Sequence, residues 1–325
     1  MQRAVVLALT ALCLFAATDA ALAQAGAPWP SKPVRIIVPT SPGGGTDIVT
    51  RVLANRVSEA LGQPVVVENR PGAAQILGTQ FVARAPADGY TQLMAASAIV
   101  LNLVLAKKPP YDILRDFVPI TVGASLPHVL TVHPSLPVKS VKDLIALARA
   151  KPGALNYSSA GSGTSLHMAM ALFLSMARIE ITHVPYKGAG PATTDLLAGH
   201  VQVATPNTLT VAPHLRSGRL RAIGVTGAKR AAALPDVPTI AEAGVPGYDA
   251  IFWYALFAPA GTPRPVVDRM QSEVAKALLL PDVGERLAAD GAEPGGMRPQ
   301  PFAAFIKAEL EKWSRVVREA KLSLD

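Results

Sequence analysis

Cysteine is almost absent. The 325-residue chain holds one, Cys13, which excludes a disulfide framework and any cysteine-based metal cluster. Aromatic residues make up only 5% and charged residues 17%, while half of the chain is hydrophobic. The core must therefore be mostly aliphatic, and the chain is not a disordered one, which would be polar and charge-rich. Dense basic runs are missing too. The net charge is +8, but the Lys and Arg residues are scattered without interleaved aromatics, so no nucleic-acid surface is expected. That charge reads as solubility with a mild attraction for anions. The six histidines (His128, His133, His167, His183, His200 and His214) form no H-E-x-x-H or H-x-H pattern. No metal site and no other cofactor is expected. Beyond the N-terminal segment, no run is long and apolar enough to cross a bilayer.

What is present begins with a leader. Arg3 precedes an apolar run from Ala4 to Ala17, and Ala21-Leu22-Ala23 follows as a small-x-small cleavage site. This layout predicts a secretory signal peptide over residues 1–23, cut before Gln24, and a periplasmic product. The apolar run is shorter than the roughly 20 residues of a spanning helix. Cys13 does not make a lipoprotein start, because Leu12 stands where a small residue is needed.

The rest of the chain alternates short β-branched runs with amphipathic stretches. Strands are predicted at Val34–Pro39, Val65–Glu68 and Thr91–Ala96, with helices at Ile48–Leu61 and Gly78–Ala85 between them. A second series follows: strands at Val129–Val132, Leu155–Ser158, Ile181–Pro185, Val201–Ala204 and Arg221–Thr226, with helices at Val141–Ala150, Ser165–Ala177 and Pro191–Ala198. Two further helices are expected near Pro265–Leu279 and Pro301–Ala320. This β-α-β rhythm predicts an α/β protein of two lobes. No internal repeat is visible. The expected division is residues 24–126 in the first lobe, 127–249 in the second, and 250–325 returning to the first with the C-terminal helices.

Two strand-to-helix loops carry the chemistry. The first is Thr40-Ser41-Pro42-Gly43-Gly44-Gly45-Thr46-Asp47. Its glycines let the backbone approach a ligand and adopt positive φ, and the following helix start offers unpaired N–H groups to an anion. Ser41 and Thr46 add hydroxyls, and Asp47 is the expected N-cap. No Lys-Ser or Lys-Thr follows the glycines and Ile48 breaks G-x-G-x-x-G, so nucleotide binding is poorly supported. The second loop, Ser158 to His167, has the same design, with Ser162, Gly163, Thr164 and Ser165 leading into a helix. Each loop read alone is equally a plain glycine-rich turn. Two of them, one per lobe, could grip one anion from both sides. His167 either donates to a ligand or packs beside the cleft. Asn69-Arg70-Pro71-Gly72-Ala73-Ala74-Gln75 is a third loop, in which Ala74 could let the backbone approach and Gln75 could supply a polar group. Ser97, at the end of a predicted strand, completes the expected ligand-binding set together with Asn207.

As an ordered set the motifs are specific. Pro42-Gly43-Gly44-Gly45-Thr46-Asp47, Glu68-Asn69-Arg70-Pro71-Gly72-Ala73, Ala87-Asp88-Gly89-Tyr90-Thr91 and Gly161-Ser162-Gly163-Thr164-Ser165-Leu166-His167 come first. Val184-Pro185-Tyr186-Lys187-Gly188, Thr194-Asp195-Leu196-Leu197-Ala198-Gly199, Leu234-Pro235-Asp236-Val237-Pro238-Thr239 and Ala258-Pro259-Ala260-Gly261-Thr262-Pro263 follow. Together they resemble the Bug-type extracytoplasmic solute-binding proteins, the receptor family of tripartite tricarboxylate transporters. The resemblance implies a two-lobed clamshell of the periplasmic-binding-protein (type II-like) kind, with mostly parallel or mixed sheets in each lobe. It implies a small organic acid held between the lobes, one carboxylate resting on the two glycine loops, and delivery to membrane permease subunits. The sequence departs from the family at three places: Thr40 stands where an aromatic is frequent, Ala74-Gln75 where Gly-Gly is common, and Asn207 where an Asp is usual. A monomer is the simple expectation for a shuttle.

Two other classes compete with this receptor. A periplasmic serine hydrolase or esterase would use Ser162 or Ser165 with His167, but a loop–helix junction does not by itself make a nucleophile–base–orienter set, and Ala160 and Thr164 break the G-x-S-x-G elbow. A ligand-sensing subunit of a membrane signalling protein differs from a transport receptor only in its partner.

Overall fold

The structure, a computed structural model, describes residues 29–40, 42–43, 45–109, 111–186, 188–289 and 291–319, with no account of the side chains of residues 74 and 209. The expected leader, Ser41 and Gly44 lie outside the described residues. In chain order the first elements are β1 (Val34–Val38), α1 (Gly45–Leu61), β2 (Val65–Asn69), α2 (Ile76–Ala83), β3 (Thr91–Ala96), α3 (Ala98–Leu105) and β4 (Phe117–Leu126). Then come β5 (Val129–Val132), α4 (Val141–Ala150), β6 (Asn156–Ser159), α5 (Ser165–Ala177), β7 (Thr182–Pro185), α6 (Ala189–Leu197), β8 (Val203–Ala204), α7 (Thr208–Arg216) and β9 (Arg221–Val225). The chain closes with β10 (Phe252–Pro259), α8 (Arg264–Leu278), α9 (Pro281–Ala289), β11 (Glu293–Pro294) and α10 (Pro299–Glu319).

These strands form two mixed sheets, ordered β11-β4-β10-β3-β1-β2 and β7-β6-β8-β5-β9. In the first, β1 lies parallel between β2 and β3, and β10 runs antiparallel between β3 and β4. Strand β1 is buried at Val34, Ile36, Ile37 and Val38, as a central strand covered on both faces must be. One face receives α1 and α8, which bring Val49, Leu53, Val57, Val267, Met270 and Val274 against Ile36, Val38 and Leu256. The opposite face receives α3 and α10 against Leu93, Trp253 and Phe257. The chain leaves the first sheet through Pro127-His128 and returns through Asp249 to Ile251, just before β10.

Several elements escaped the sequence reading, each for a physical reason. Helix α3 is apolar nearly throughout, with Ile99, Val100, Leu101 and Leu105 buried, so it carries no 3.6-residue period to recognise. Strand β4 contains Pro119 and Gly123, residues that ordinarily demote a strand; the β10–β4 ladder shifts register twice to accommodate them. Helix α7 contains Pro213, which reads as a helix breaker. Helix α1 begins at Gly45, ahead of the expected Ile48, and this moves Asp47 from the N-cap into the first turn.

The longest helix, α10, buries Phe302, Ile306, Glu309, Trp313 and Val316, a 4-3-4-3 spacing that forms one stripe. It is the brace between the sheets. Trp313 stacks on Phe252 at 5.9 Å, Phe252 packs on His128 at 4.5 Å, and Ser175 Oγ of α5 donates to Glu319 Oε2 of α10 at 3.2 Å. Glu309 is buried and accepts hydrogen bonds from the indole N–H groups of Trp313 (3.1 Å) and Trp253 (3.4 Å). Replacing Trp313 by Ala is expected to lower the unfolding free energy by about 3–5 kcal/mol, the usual range for a fully buried large aromatic. Urea titration at neutral pH measures this; a loss below about 1 kcal/mol would show that α10 does not brace the two sheets.

Candidate functional site

The first glycine loop is held from beneath by Asp47. Its carboxylate is buried, accepts the Gly43 N–H at 2.9 Å and the Asn69 side-chain amide at 2.9 Å, and pairs with Arg51 at 3.0 Å. Burial pushes the Asp47 pKa up, but the hydrogen bonds from Arg51, Gly43 and Asn69 outweigh it and hold the group below its ordinary value. The Asn69 amide also donates to the Thr40 carbonyl at 3.1 Å, and Arg51 donates to Asn69 Oδ1 at 2.9 Å. The loop is thus tied to the end of β2 with its only acid turned inward. That leaves backbone groups and hydroxyls for a ligand. Gly43 takes φ +79°, and a Cβ at Gly45 would overlap the Tyr254 hydroxyl. Tyr254, on β10, therefore belongs to this site, as one of the aromatics that the sequence allowed to reach the cleft. Thr46 is buried at the start of α1.

The third loop is backbone-strained. Ala73 and Gln75 take φ of +44° and +78°, conformations that favour glycine and cost of order 1–3 kcal/mol each in other residues; of the two, only Gln75 is at the departure from Gly-Gly. Two side-chain atoms here are buried without a hydrogen-bond partner in the protein: Thr40 Oγ1 and Gln75 Oε1. Buried polar groups are nearly always paired, and these two orphans lie on the first and third loops. Ser97 sits at the C-terminal end of β3, where its N–H donates to the Trp253 carbonyl at 2.9 Å.

In the second lobe, Thr164 caps α5 by accepting the His167 N–H, and its hydroxyl donates to the Gly161 carbonyl at 2.7 Å. Gly161 and Gly163 take φ +125° and +76°. His167 lies beneath the loop. Its Nδ1 accepts the Gly163 N–H at 3.0 Å, its ring stacks on His183 at 4.1 Å, and Tyr157 lies near both rings, 4.8 Å from His183 and 6.4 Å from His167. Burial, assisted by the neighbouring His183, pushes the His167 pKa down to about 4. This histidine braces the loop. The cap and first turn leave the N–H groups of Ser165 and Leu166 without intrahelical acceptors. Ser162 lies in the same loop, two residues before the cap.

Asn207 caps α7, its Oδ1 accepting the Thr210 N–H at 2.8 Å, and it bridges to His128 through the backbone. His128 is the residue that the sequence reading missed: an isolated histidine in a Leu-Pro-His segment gives no local signal. Its Nε2 lies 3.2 Å from Ser165 Oγ, its ring rests on Phe252, and its Nδ1 is buried without a partner. Burial pushes its pKa down to about 4. The starts of α5 and α7 thus converge on the residue that links the sheets, and Phe252 continues the contact to β10, two residues from Tyr254. Among the described residues no cluster of His, Cys, Asp or Glu could hold a metal, and no helix is long and apolar enough to cross a membrane.

Two sheets joined by two crossing segments, with glycine loops and helix starts gathered beside the crossing, define a two-lobed solute-binding protein. The sequence profile described as the tripartite tricarboxylate transporter family receptor (TctC) matches residues 49–322. Protein BugT of Bordetella pertussis is 39% identical over 319 residues, covering 97% of this chain and 98% of BugT. Among solved structures, R. palustris Rpa4515 with adipate has a TM-score of 0.80 at 40% identity, covering 91% of this chain and 99% of that one. MatC (Rpa3494) from Rhodopseudomonas palustris with bound malate has a TM-score of 0.76 at 31% identity, covering 89% and 100%. The chain belongs to the tripartite tricarboxylate transporter receptor family.

The two buried histidines give a pH signature. Each is neutral when folded and protonates more readily when unfolded, so the unfolded state binds more protons between pH 6.5 and about 4. Their contribution to stability is complete above pH 6.5 and is lost as the pH falls through that window. Urea midpoints measured from pH 7 to 4 should therefore decline, and the double variant His128→Asn/His167→Asn should decline less steeply. Equal slopes for the two proteins would contradict the assignment.

Proposed function

We propose that this receptor captures a small carboxylate-bearing metabolite between its lobes in the periplasm and delivers it to the permease subunits of a tripartite transporter. The carrying observation is the pair of orphaned buried oxygens, Thr40 Oγ1 and Gln75 Oε1, beside a glycine loop whose only acid is fully engaged by Gly43, Asn69 and Arg51. One ligand carboxylate rests on the backbone N–H groups at the starts of α1 and α5, where unpaired donors and the helix dipole favour an anion. Thr46, Ser165 and the loop residues Gly45, Ser162, Gly163 and Thr164 frame it, and Ser41 and Gly44 are assigned to the same loop's contribution from the sequence alone. Thr40 and Gln75 meet the rest of the ligand; Gln75 Oε1 can only accept, so it favours a hydroxyl, a protonated acid or a bridging water there. Ala74, Ser97 and Asn207 complete the rim. Adipate in one relative and malate in another are dicarboxylates, which supports an acid of that size. Residues 1–23 are the cleaved leader, 24–126 and 250–325 form one lobe, 127–249 the other, and the protein works as a monomer.

The geometry favours capture over catalysis. Ser165 does lie near a histidine, but burial holds His128 neutral with a pKa near 4, and the further group acting on its ring is the Leu126 backbone, not a carboxylate; a general base works best with a pKa near the working pH. His167, the partner expected from the sequence, is turned to the Gly163 N–H.

A thermal-shift screen of adipate, malate, citrate, benzoate and glutamate tests this reading. A ligand at about 100 times its Kd adds roughly 2.7 kcal/mol to stability. Gln75→Gly separates binding from strain: relieving its φ is expected to leave stability equal or about 1 kcal/mol higher, while the ligand-induced shift shrinks. No shift with any acid, or an unchanged shift in Gln75→Gly and Gly45→Val alike, would overturn the reading.

A further inference from the structure

Apart from the loops, a cavity of about 440 Å³ lies on the face of the first sheet covered by α10. It shares no residue with the glycine loops. Strand β4 contributes Val122 and Ser125 to its wall, the segment returning from the second sheet contributes Asp249 and Ile251, and β10 contributes Trp253. Its volume lies in the range of small-ligand sites, and a mostly apolar lining with a few polar groups is the usual composition of such sites.

The polar groups of that wall have a definite sign. Glu309 is buried and satisfied, accepting from the Trp253 and Trp313 indoles and pairing with Lys312. Lys312 is in turn engaged by Glu309 and by the Asp249 carbonyl at 3.4 Å. One carboxylate of the wall has no ion-pair partner among the described residues, that of the half-buried Asp249, whose Oδ1 is enclosed without a hydrogen-bond partner. Phe305 and Met297 supply apolar and aromatic surface, backed by Trp253, which is itself buried against Phe305. An unpaired carboxylate beside low-dielectric walls favours a cation carrying its own hydrogen-bond donors, and aromatic faces add to that preference.

We propose that this cavity is a second ligand site, for a small organic ammonium with an aryl or alkyl body. The ammonium pairs with Asp249, and the apolar body lies against Phe305 and Met297. The selectivity is opposite to that of the anion site formed by the glycine loops, and this inference does not rest on the receptor reading.

Isothermal calorimetry with three probes of similar shape tests it: 2-phenylethylammonium, neutral 2-phenylethanol and anionic 3-phenylpropanoate. The ammonium is expected to bind saturably with Kd near or below about 1 mM and roughly tenfold or more ahead of the alcohol and the acid. Asp249→Asn, which keeps the shape, should weaken the ammonium about tenfold and abolish the preference. Met297→Trp, which fills the cavity, should weaken all binding there; urea midpoints confirm that each variant is folded. Saturating adipate should leave the ammonium isotherm in place if the sites are separate. Equal binding of alcohol and ammonium, no saturable ammonium binding, indifference to both substitutions, or competition by adipate would overturn the proposal.

Discussion

The buried carboxylate of Asp47 is the constraint on which the first half of the site depends. It sits one turn into α1 and gathers the Gly43 N–H, the Asn69 amide and Arg51. A charge with so little exposure is tolerated only when fully hydrogen-bonded, and here its bonds shape its own loop through Gly43 and tie that loop to the end of β2 through Asn69. The Gly43 contact shapes the first glycine loop; Asn69 carries the restraint to the end of β2 and on to the Thr40 carbonyl. What remains for a ligand is backbone, hydroxyl and amide, with no competing acid. A site so arranged suits an anion because its negative charge has already been neutralised beneath it.

The second half uses a different device for the same purpose. His167 accepts the Gly163 N–H and packs in a cluster of three near-parallel rings with His183 and Tyr157, so the second loop is braced by neutral aromatic packing. His128 joins the halves. It touches Ser165, bridges to Asn207 and rests on Phe252, which in turn stacks on Trp313 of the brace helix. The apolar core runs continuously across this junction. Separating the sheets would expose aromatic surface, including the Phe252–His128 contact.

Much of this was legible in the residues, and the exceptions share a cause. Helices α4 and α5 stand at the positions that their apolar spacing marks, and both glycine loops join strand to helix, because local period and local turn chemistry decide these features. Helix α3 lacked a period, β4 and α7 carried prolines, and the roles of His128 and Tyr254 depend on which strands become neighbours. Asp47 was recognisable as a capping acid but not as the centre of a network, since Asn69 reaches it only after β1 and β2 pair. The two orphaned oxygens could not be foreseen at all: Gln75 is strained into the left-handed region by the turn that follows Gly72, and only the folded chain shows its amide oxygen unpaired.

The central claim is that the backbone N–H groups at the starts of α1 and α5 hold the ligand's carboxylate. Amide-resolved NMR of the ¹⁵N-labelled mature protein, titrated with adipate or with whichever acid binds, tests it most directly. The account predicts that the largest downfield amide shifts at saturation fall on Thr46, Ser165 and Leu166, with smaller changes at Gln75. Saturable binding whose largest shifts fall elsewhere, with those three amides unmoved, would contradict it.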